Sequence, residues 1–254
     1  LVVCGTTGEA STMSKEEQHA AINFVVKQAA GRVPVIAGTG TNNTVTSVDA
    51  AKKAADLGVD ALLVVTPYYN KCTQTGLIRH FYAIADATPL PVIVYNIPGR
   101  TGYNVTPAAM KELVAHDRIV PTKDATADIC QIVEMARLCP GLEIYSGNDD
   151  HVVPILSVGG LGVISVVSNV APRMTHDMVM AYLNGDVVKA RELQFKLNPL
   201  VKSLFSEVNP TPVKKALNMI GIPVGIPRLP LTEMSPDKAA LLKNELIALG
   251  FDIA

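Results

Sequence analysis

The chain has 254 residues, 48% hydrophobic and 18% charged, with 22 Lys plus Arg against 23 Asp plus Glu and a formal net charge of -1. That balance gives nucleic acid and anionic membranes no electrostatic footing, and the apolar fraction excludes a disordered chain. The longest apolar runs, such as Ala61 to Val65, are too short to cross a bilayer.

Four scattered cysteines form no CxxC, so neither a zinc site nor a disulfide framework is expected, and a reducing, cytoplasmic setting is the default. The sequence opens inside an apolar run, at Leu1, which suggests a trimmed chain or a fragment of a longer one. Strands are expected at Leu1 to Cys4, Val33 to Ala37, Ala61 to Val65, Val92 to Tyr95, Ile119 to Lys123, Glu143 to Ser146 and Gly162 to Val166. They read as continuous apolar runs, the pattern of a sheet buried on both faces. Amphipathic segments lie between them. Ser14 with Glu17 forms a capping box for the first helix, Thr44 opens the second, and Thr106-Pro107 opens the fourth. Beyond residue 170 only helical patterns follow, at about 172–184, 186–206, 210–220 and 236–249.

Strand alternating with helix implies parallel βα units, in a doubly wound sheet or an eight-fold barrel. Reactive residue types follow the ends of many successive strands, at Gly5-Thr6-Thr7-Gly8-Glu9, Thr66 to Asn70, Asn96 to Arg100, Asp124 to Thr126 and Gly147 to Asp150. That is the barrel layout. The fold class expected is therefore α/β, a (βα)8 TIM barrel with its first βα unit missing from this chain. Residues 1–185 would form the barrel and residues 186–254 a helical region packed on it. A barrel lacking one strand has two unpaired edges, so such a chain alone is expected to be poorly stable.

Lys123 ends an apolar run and would sit inside the barrel mouth, where burial lowers an amine's pKa and frees it to attack a carbonyl. The same position also suits a lysine whose head reaches solvent. Pro121 in that run forgoes a ladder hydrogen bond. Tyr95, at the end of the preceding strand, suits either proton transfer or packing. Arg100, in a Pro-Gly-Arg-Thr-Gly turn, has the fork geometry to hold a carboxylate or else lies free on the surface. Gly5 to Gly8 offers hydroxyls and amides to a small anion, as helix N-termini do, or is only a turn. Tyr68-Tyr69 suits packing or an interface equally. Gly38-Thr39-Gly40 lacks the third glycine of a dinucleotide loop, and the five histidines show no ligand spacing. Asp149-Asp150 reads as the capped, acidic start of a helix.

Taken in order, Gly5 to Glu9, Tyr68-Tyr69-Asn70, Tyr95 to Gly102, Lys123 to Thr126 and Gly162 to Val166 resemble the dihydrodipicolinate synthase family of class I Schiff-base aldolases. The resemblance extends to Asn209-Pro210 and Arg228 to Leu231 and so covers the whole chain. Pro121 and Asp124 depart from the family pattern. The resemblance implies a barrel with a helical C-terminal region, assembled as a homotetramer, a dimer of dimers. It implies that Lys123 forms an imine with pyruvate and that the derived enamine attacks L-aspartate 4-semialdehyde, giving 4-hydroxy-tetrahydrodipicolinate for lysine and diaminopimelate biosynthesis. No external cofactor or metal is implied. Thr6 and Thr7 would hold the pyruvate carboxylate, Ile164 would lend a backbone contact and Gly147 would shape the pocket. Tyr95 would move protons through Thr6 and Tyr69, the latter entering a neighbouring subunit's site. Arg100 would bind the second substrate's carboxylate. A sister aldolase acting on sialic acid or a 2-keto-3-deoxy sugar acid, and a non-catalytic barrel, are the rival readings.

Feedback-sensitive members of the family bind L-lysine at the subunit interface through a glutamate, a histidine, an asparagine and a tyrosine. Asn42 and Tyr68 match two of these, but Thr46 and Lys15 stand at the glutamate and histidine positions. An ammonium ligand loses its carboxylate partner and meets a like charge, both unfavourable in a cleft. L-lysine at physiological levels is therefore expected not to inhibit, and an inhibition curve checks it: half-inhibition at sub-millimolar L-lysine would overturn the expectation.

Overall fold

A computed structural model describes residues 1–254. Seven strands pair in parallel and in sequence order: β1 (Val2–Val3), β2 (Ile36–Gly38), β3 (Ala61–Val65), β4 (Val92–Asn96), β5 (Pro121–Asp124), β6 (Glu143–Ser146) and β7 (Gly162–Val163). The connections carry α1 (Lys15–Ala29), α2 (Thr44–Asp56), α3 (Gln74–Asp86), α4 (Pro98–Thr101), α5 (Pro107–Leu113), α6 (Ile129–Leu138) and α7 (Val152–Leu156). After β7 come α8 (Pro172–Leu183), α9 (Val187–Leu204), α10 (Thr211–Met219) and α11 (Pro236–Ala248).

Capping fixes where the helices begin. The Ser14 hydroxyl accepts from the Glu17 amide at 3.2 Å, and the Glu17 carboxylate accepts from the Ser14 amide at 2.8 Å, completing the expected box. At α2, α3, α5 and α6 the side chains of Asn43, Thr73, Thr106 and Asp128 accept from the amide three residues on, without the reciprocal bond. Each strand expected from the sequence forms, with shifted ends that have local causes. Pro34 has no N–H to donate, and the Val35 amide goes to the Asp60 carboxylate at 2.7 Å, so β2 begins only at Ile36. Cys4 takes a left-handed φ of 55° and closes β1. Pro121 opens β5, a position that tolerates its missing donor. The turn around Arg100 is the short helix α4, so Thr106-Pro107 opens the fifth helix and not the fourth.

Along the central strands, side chains alternate between two burial environments. Leu62, Val64, Val92 and Val94 pack outward against Leu77, Phe81 and Ile84 of α3. Leu63, Ile93 and Tyr95 point inward with Ala125. The inner faces of the strands, from Val2 on β1 through Ile36, Leu63, Ile93, Lys123 and Tyr145 to Ile164 just after β7, line one cavity of about 920 Å³, so the sheet curls around a common interior. A second apolar core joins Val152 of α7, Met178 of α8, Leu200 of α9, Val213 of α10 and Leu246 of α11. The late helices are thus continuous with the last βα units.

Two glycines account for the Gly-Thr-Gly run that begins on the last residue of β2. A Cβ at Gly38 would lie 2.1 Å from the Cys4 carbonyl oxygen, and one at Gly40 would lie 2.3 Å from the Val65 amide nitrogen. The neighbouring backbones approach too closely for any side chain. Gly38→Ala is expected to cost about 3 kcal/mol. A thermal melt should register that as a fall of roughly 6–12 °C.

Candidate active site

Strand register builds the site. Lys123 on β5 pairs with Tyr95 on β4 and with Tyr145 on β6, so all three face the interior. The Lys123 Nζ lies 4.2 Å from the centre of the Tyr95 ring, a cation–π distance. Burial brings the Lys123 pKa down to about 8; the Asp149 carboxylate works against this and the Arg100 guanidinium with it. At neutral pH roughly one amine in ten is then unprotonated, against fewer than one in a thousand for an ordinary lysine. Burial pushes the Tyr95 phenol up, while Arg100 and the Thr6 hydroxyl partly offset it. Tyr95 therefore stays protonated and able to donate.

Arg100 is carried by α4, whose loop is closely tied. Asn96 accepts from the Val105 amide at 3.1 Å and donates to Asn104 at 3.0 Å, and Gly102 ends the helix with φ 65°. Arg100 reaches the cavity wall, where its Nη2 donates to the Asn209 carbonyl at 3.1 Å. Thr6 and Thr7 line the same wall from the loop after β1. This loop is not a helix N-terminus as the sequence suggested, since a 3-10 turn at Ala10–Thr12 intervenes and α1 starts only at Lys15. The Thr6 and Thr7 amides are taken by no other group of the chain. Ile164 commits its amide to the Ser146 carbonyl at 2.9 Å and lines the cavity. At Gly147 a Cβ would sit 2.7 Å from that of Ala125, so only glycine fits.

Seven of the eight expected residues thus meet in one cavity: Thr6, Thr7, Tyr95, Arg100, Lys123, Gly147 and Ile164. Tyr69 does not. Its left-handed backbone, φ 70°, leaves the side chain 92% exposed and outside that cavity, so no Tyr95–Thr6–Tyr69 relay exists within a single chain.

Two residues gain an importance their sequence context did not reveal. Asp149 is no surface helix cap: it is 4% exposed, and its carboxylate accepts from the Ser165 hydroxyl and from the Val166 and Val167 amides at 2.9 and 3.2 Å. Those two amides are lost to the ladder, which is why β7 stops at Val163. The backbone carbonyl of Asp149 accepts from Gln194 of α9 at 2.9 Å. Burial raises the Asp149 pKa, against the pull of these donors and of Lys123. The pointer lay in Gly147-Asn148-Asp149, which follows the strand next to the lysine's. Asn209, quoted above only as part of a resemblance, donates from Nδ2 to the Thr7 hydroxyl at 2.9 Å.

A second cavity of about 660 Å³ shares Thr6, Tyr95 and Arg100 with the first and is lined further by Lys15, Thr46, Tyr68 and Asp49. Asn42 does not line it; the Asn42 carbonyl accepts from Asn70 at 2.9 Å.

The model of the dihydrodipicolinate synthetase family matches residues 1–249. The chain belongs to that family. It is 56% identical over 253 residues to the 4-hydroxy-tetrahydrodipicolinate synthase of Caldicellulosiruptor bescii, covering 100% of this chain and 86% of that protein. Dihydrodipicolinate synthase from Aquifex aeolicus superposes with a TM-score of 0.97 at 42% identity, over 99% of this chain and 87% of that one. A monomeric dihydrodipicolinate synthase variant superposes with a TM-score of 0.96 at 42% identity, over 99% and 85%. The dihydrodipicolinate synthetase fold thus accounts for the parallel sheet and for the helices around it.

Asp149→Asn keeps the shape but removes the carboxylate that favours the Lys123 ammonium, so the lysine pKa should fall further. Modification of Lys123 by a small acylating reagent, read by mass spectrometry, should then reach half-maximal rate at lower pH. Asp149→Ala should in addition lose about 1–3 kcal/mol in a denaturant melt, because the amides of Val166 and Val167 are left unpaired.

Proposed function

We infer that this chain condenses pyruvate with L-aspartate 4-semialdehyde to 4-hydroxy-tetrahydrodipicolinate, in lysine and diaminopimelate biosynthesis. The observation that carries the chemistry is the Lys123 amine, brought down to about 8 in a cavity ringed by a phenol, a guanidinium and two hydroxyls. In the mechanism we propose, that amine adds to the pyruvate ketone and water leaves as the imine forms. The imine draws electrons from the adjacent methyl, which loses a proton to give an enamine, so no external cofactor takes part. The enamine carbon attacks the aldehyde carbon. The amine of the second substrate then attacks the imine carbon, closing the ring and releasing Lys123.

Thr6, Thr7 and their unpaired amides suit the pyruvate carboxylate, with Ile164 lending a backbone contact and Gly147 keeping space beside it. Tyr95 is the proton donor and acceptor, next to Lys123 and facing Thr6. Arg100 takes the carboxylate of the aldehyde substrate. We propose that Tyr69 completes the relay from a neighbouring subunit, in a homotetramer built as a dimer of dimers. Its left-handed backbone costs of order 1–3 kcal/mol, which a subunit contact would offset. We propose further that the seven strands belong to a (βα)8 barrel whose remaining strand bridges β1 and β7, with residues 1–185 as barrel and 186–254 as a helical region packed on it. No helix is long and apolar enough to cross a membrane, and a cytoplasmic setting suits the scattered free cysteines. For L-lysine, Asp49 is the carboxylate that would have to replace the missing glutamate; Lys15 and Lys53 on the same wall oppose that, so insensitivity remains the reading.

Borohydride with pyruvate should trap an adduct on Lys123, and Lys123→Ala should abolish it. The trapping rate should rise with pH through about 8, as the free amine forms. Arg100→Ala should still trap pyruvate, at slightly higher pH because a neighbouring cation is gone. Synthesis by that variant should lose about 2–4 kcal/mol of transition-state binding. Label on another lysine, or equal damage to trapping and synthesis in Arg100→Ala, would overturn these assignments.

A further inference from the structure

Asn209 sits in the link between α9 and α10, 5% exposed, and it lines the main cavity. Its Nδ2 donates to the Thr7 hydroxyl at 2.9 Å, while its backbone carbonyl accepts from Arg100 Nη2 at 3.1 Å. The Thr6-Thr7 loop follows β1 and Arg100 follows β4, so the two lie on separate parts of the rim. Asn209 is the one residue hydrogen-bonded to both. The Asn209 Oδ1 is buried with no donor. In either orientation of the amide one polar atom stays unpaired, which costs stability. An apolar side chain of similar size would avoid that cost. The amide therefore stands at this position against the interest of the fold.

We propose that Asn209 is a positioning residue that couples the two carboxylate grips, Thr7 and Arg100, and thereby sets the affinity for both substrates at once. The proposal rests on the function inferred above. The same segment reinforces the tie five residues on, where Lys214 of α10 bonds Glu9 at 2.6 Å and anchors the far end of the Gly5–Glu9 loop. If Asn209 moves, Thr7 loses a donor and Arg100 loses the carbonyl that aims it. Asn209 makes no bond to Lys123, and it can act on the amine only through the field of Arg100, so the chemical step should change far less than substrate binding.

Steady-state kinetics in both substrates, with melting temperatures, test this on Asn209→Leu and the near-isosteric Asn209→Asp. Asn209→Leu should raise KM for pyruvate and for the aldehyde together, each roughly 5–50-fold, with kcat within about threefold and a melting temperature equal to or above the parent's. Asn209→Asp should raise both KM values further, since its charge repels both carboxylates, and it decides the matter should Asn209→Leu fail to fold. Thr7→Val should raise KM for pyruvate alone, and combined with Asn209→Leu it should add little to the pyruvate KM, the mark of a shared interaction. Unchanged KM for either substrate overturns the coupling, as does a loss of kcat that tracks a lowered melting temperature. A parent protein that forms no pyruvate adduct overturns the functional reading and the coupling with it; a fully active parent beside normal Asn209 variants overturns the coupling alone.

Discussion

An ammonium ion held at an inward position of a buried parallel strand is the constraint from which the rest of this molecule follows. Lys123 has the Tyr95 ring on one side and Tyr145 on the other, with Arg100 repelling it from the rim. Burial and Arg100 both favour the neutral amine. Asp149, buried beneath the β7 loop, restores part of the balance, and the result is a pKa of about 8. The charged and nucleophilic forms then coexist near neutrality, as a carbonyl-attacking amine requires. Glu143 also lines the interior, lower on β6, but it does not enter among the causes of the lysine shift.

Much of the scaffold was legible because parallel βα units write themselves locally. Leu62 and Val64 face helices while Leu63 faces the interior, and burial on both sides makes the whole run apolar. Ser14, Thr106 and their like mark the helix starts because the capping hydroxyl and the amide it serves are three residues apart. The order of strand-end loops was legible too, and it gathered Thr6, Tyr95, Arg100, Lys123 and Ile164 at one cavity. Residue type and spacing alone left Lys123 divided between interior and solvent. The family resemblance supplies the role proposed for it, and the register with Tyr95 and Tyr145 fixes its surroundings.

What could not be read was anything that depends on a distant partner. Asp149 looked like a helix cap because its true partners, Ser165 to Val167, come from the next loop. Asn209 had no local signal at all, since Thr7 lies 202 residues away. Tyr69 is 92% exposed and stands apart from the cavity, so a single chain gives its expected role at a neighbouring subunit no local trace. Where an amide chooses a carboxylate across a loop over a neighbouring strand, pattern and propensity carry no information, and strand ends shift accordingly, as at Val163.

The late helices hold the earliest loop. Glu9 is bound by Lys214 and by the Arg228 amide, and the Arg228 guanidinium forks onto Glu17 at 2.8 and 2.7 Å, across sequence separations of 205 to 219 residues. Such contacts close only once residues 214 and 228 are available, and long loop closure is slow. A growing chain would therefore carry Lys123 and Tyr95 well before the Gly5–Glu9 loop beside them was tied in place. The order of the Gly5–Glu9 loop is thus set late, however early its own residues are made, by groups more than 200 residues downstream.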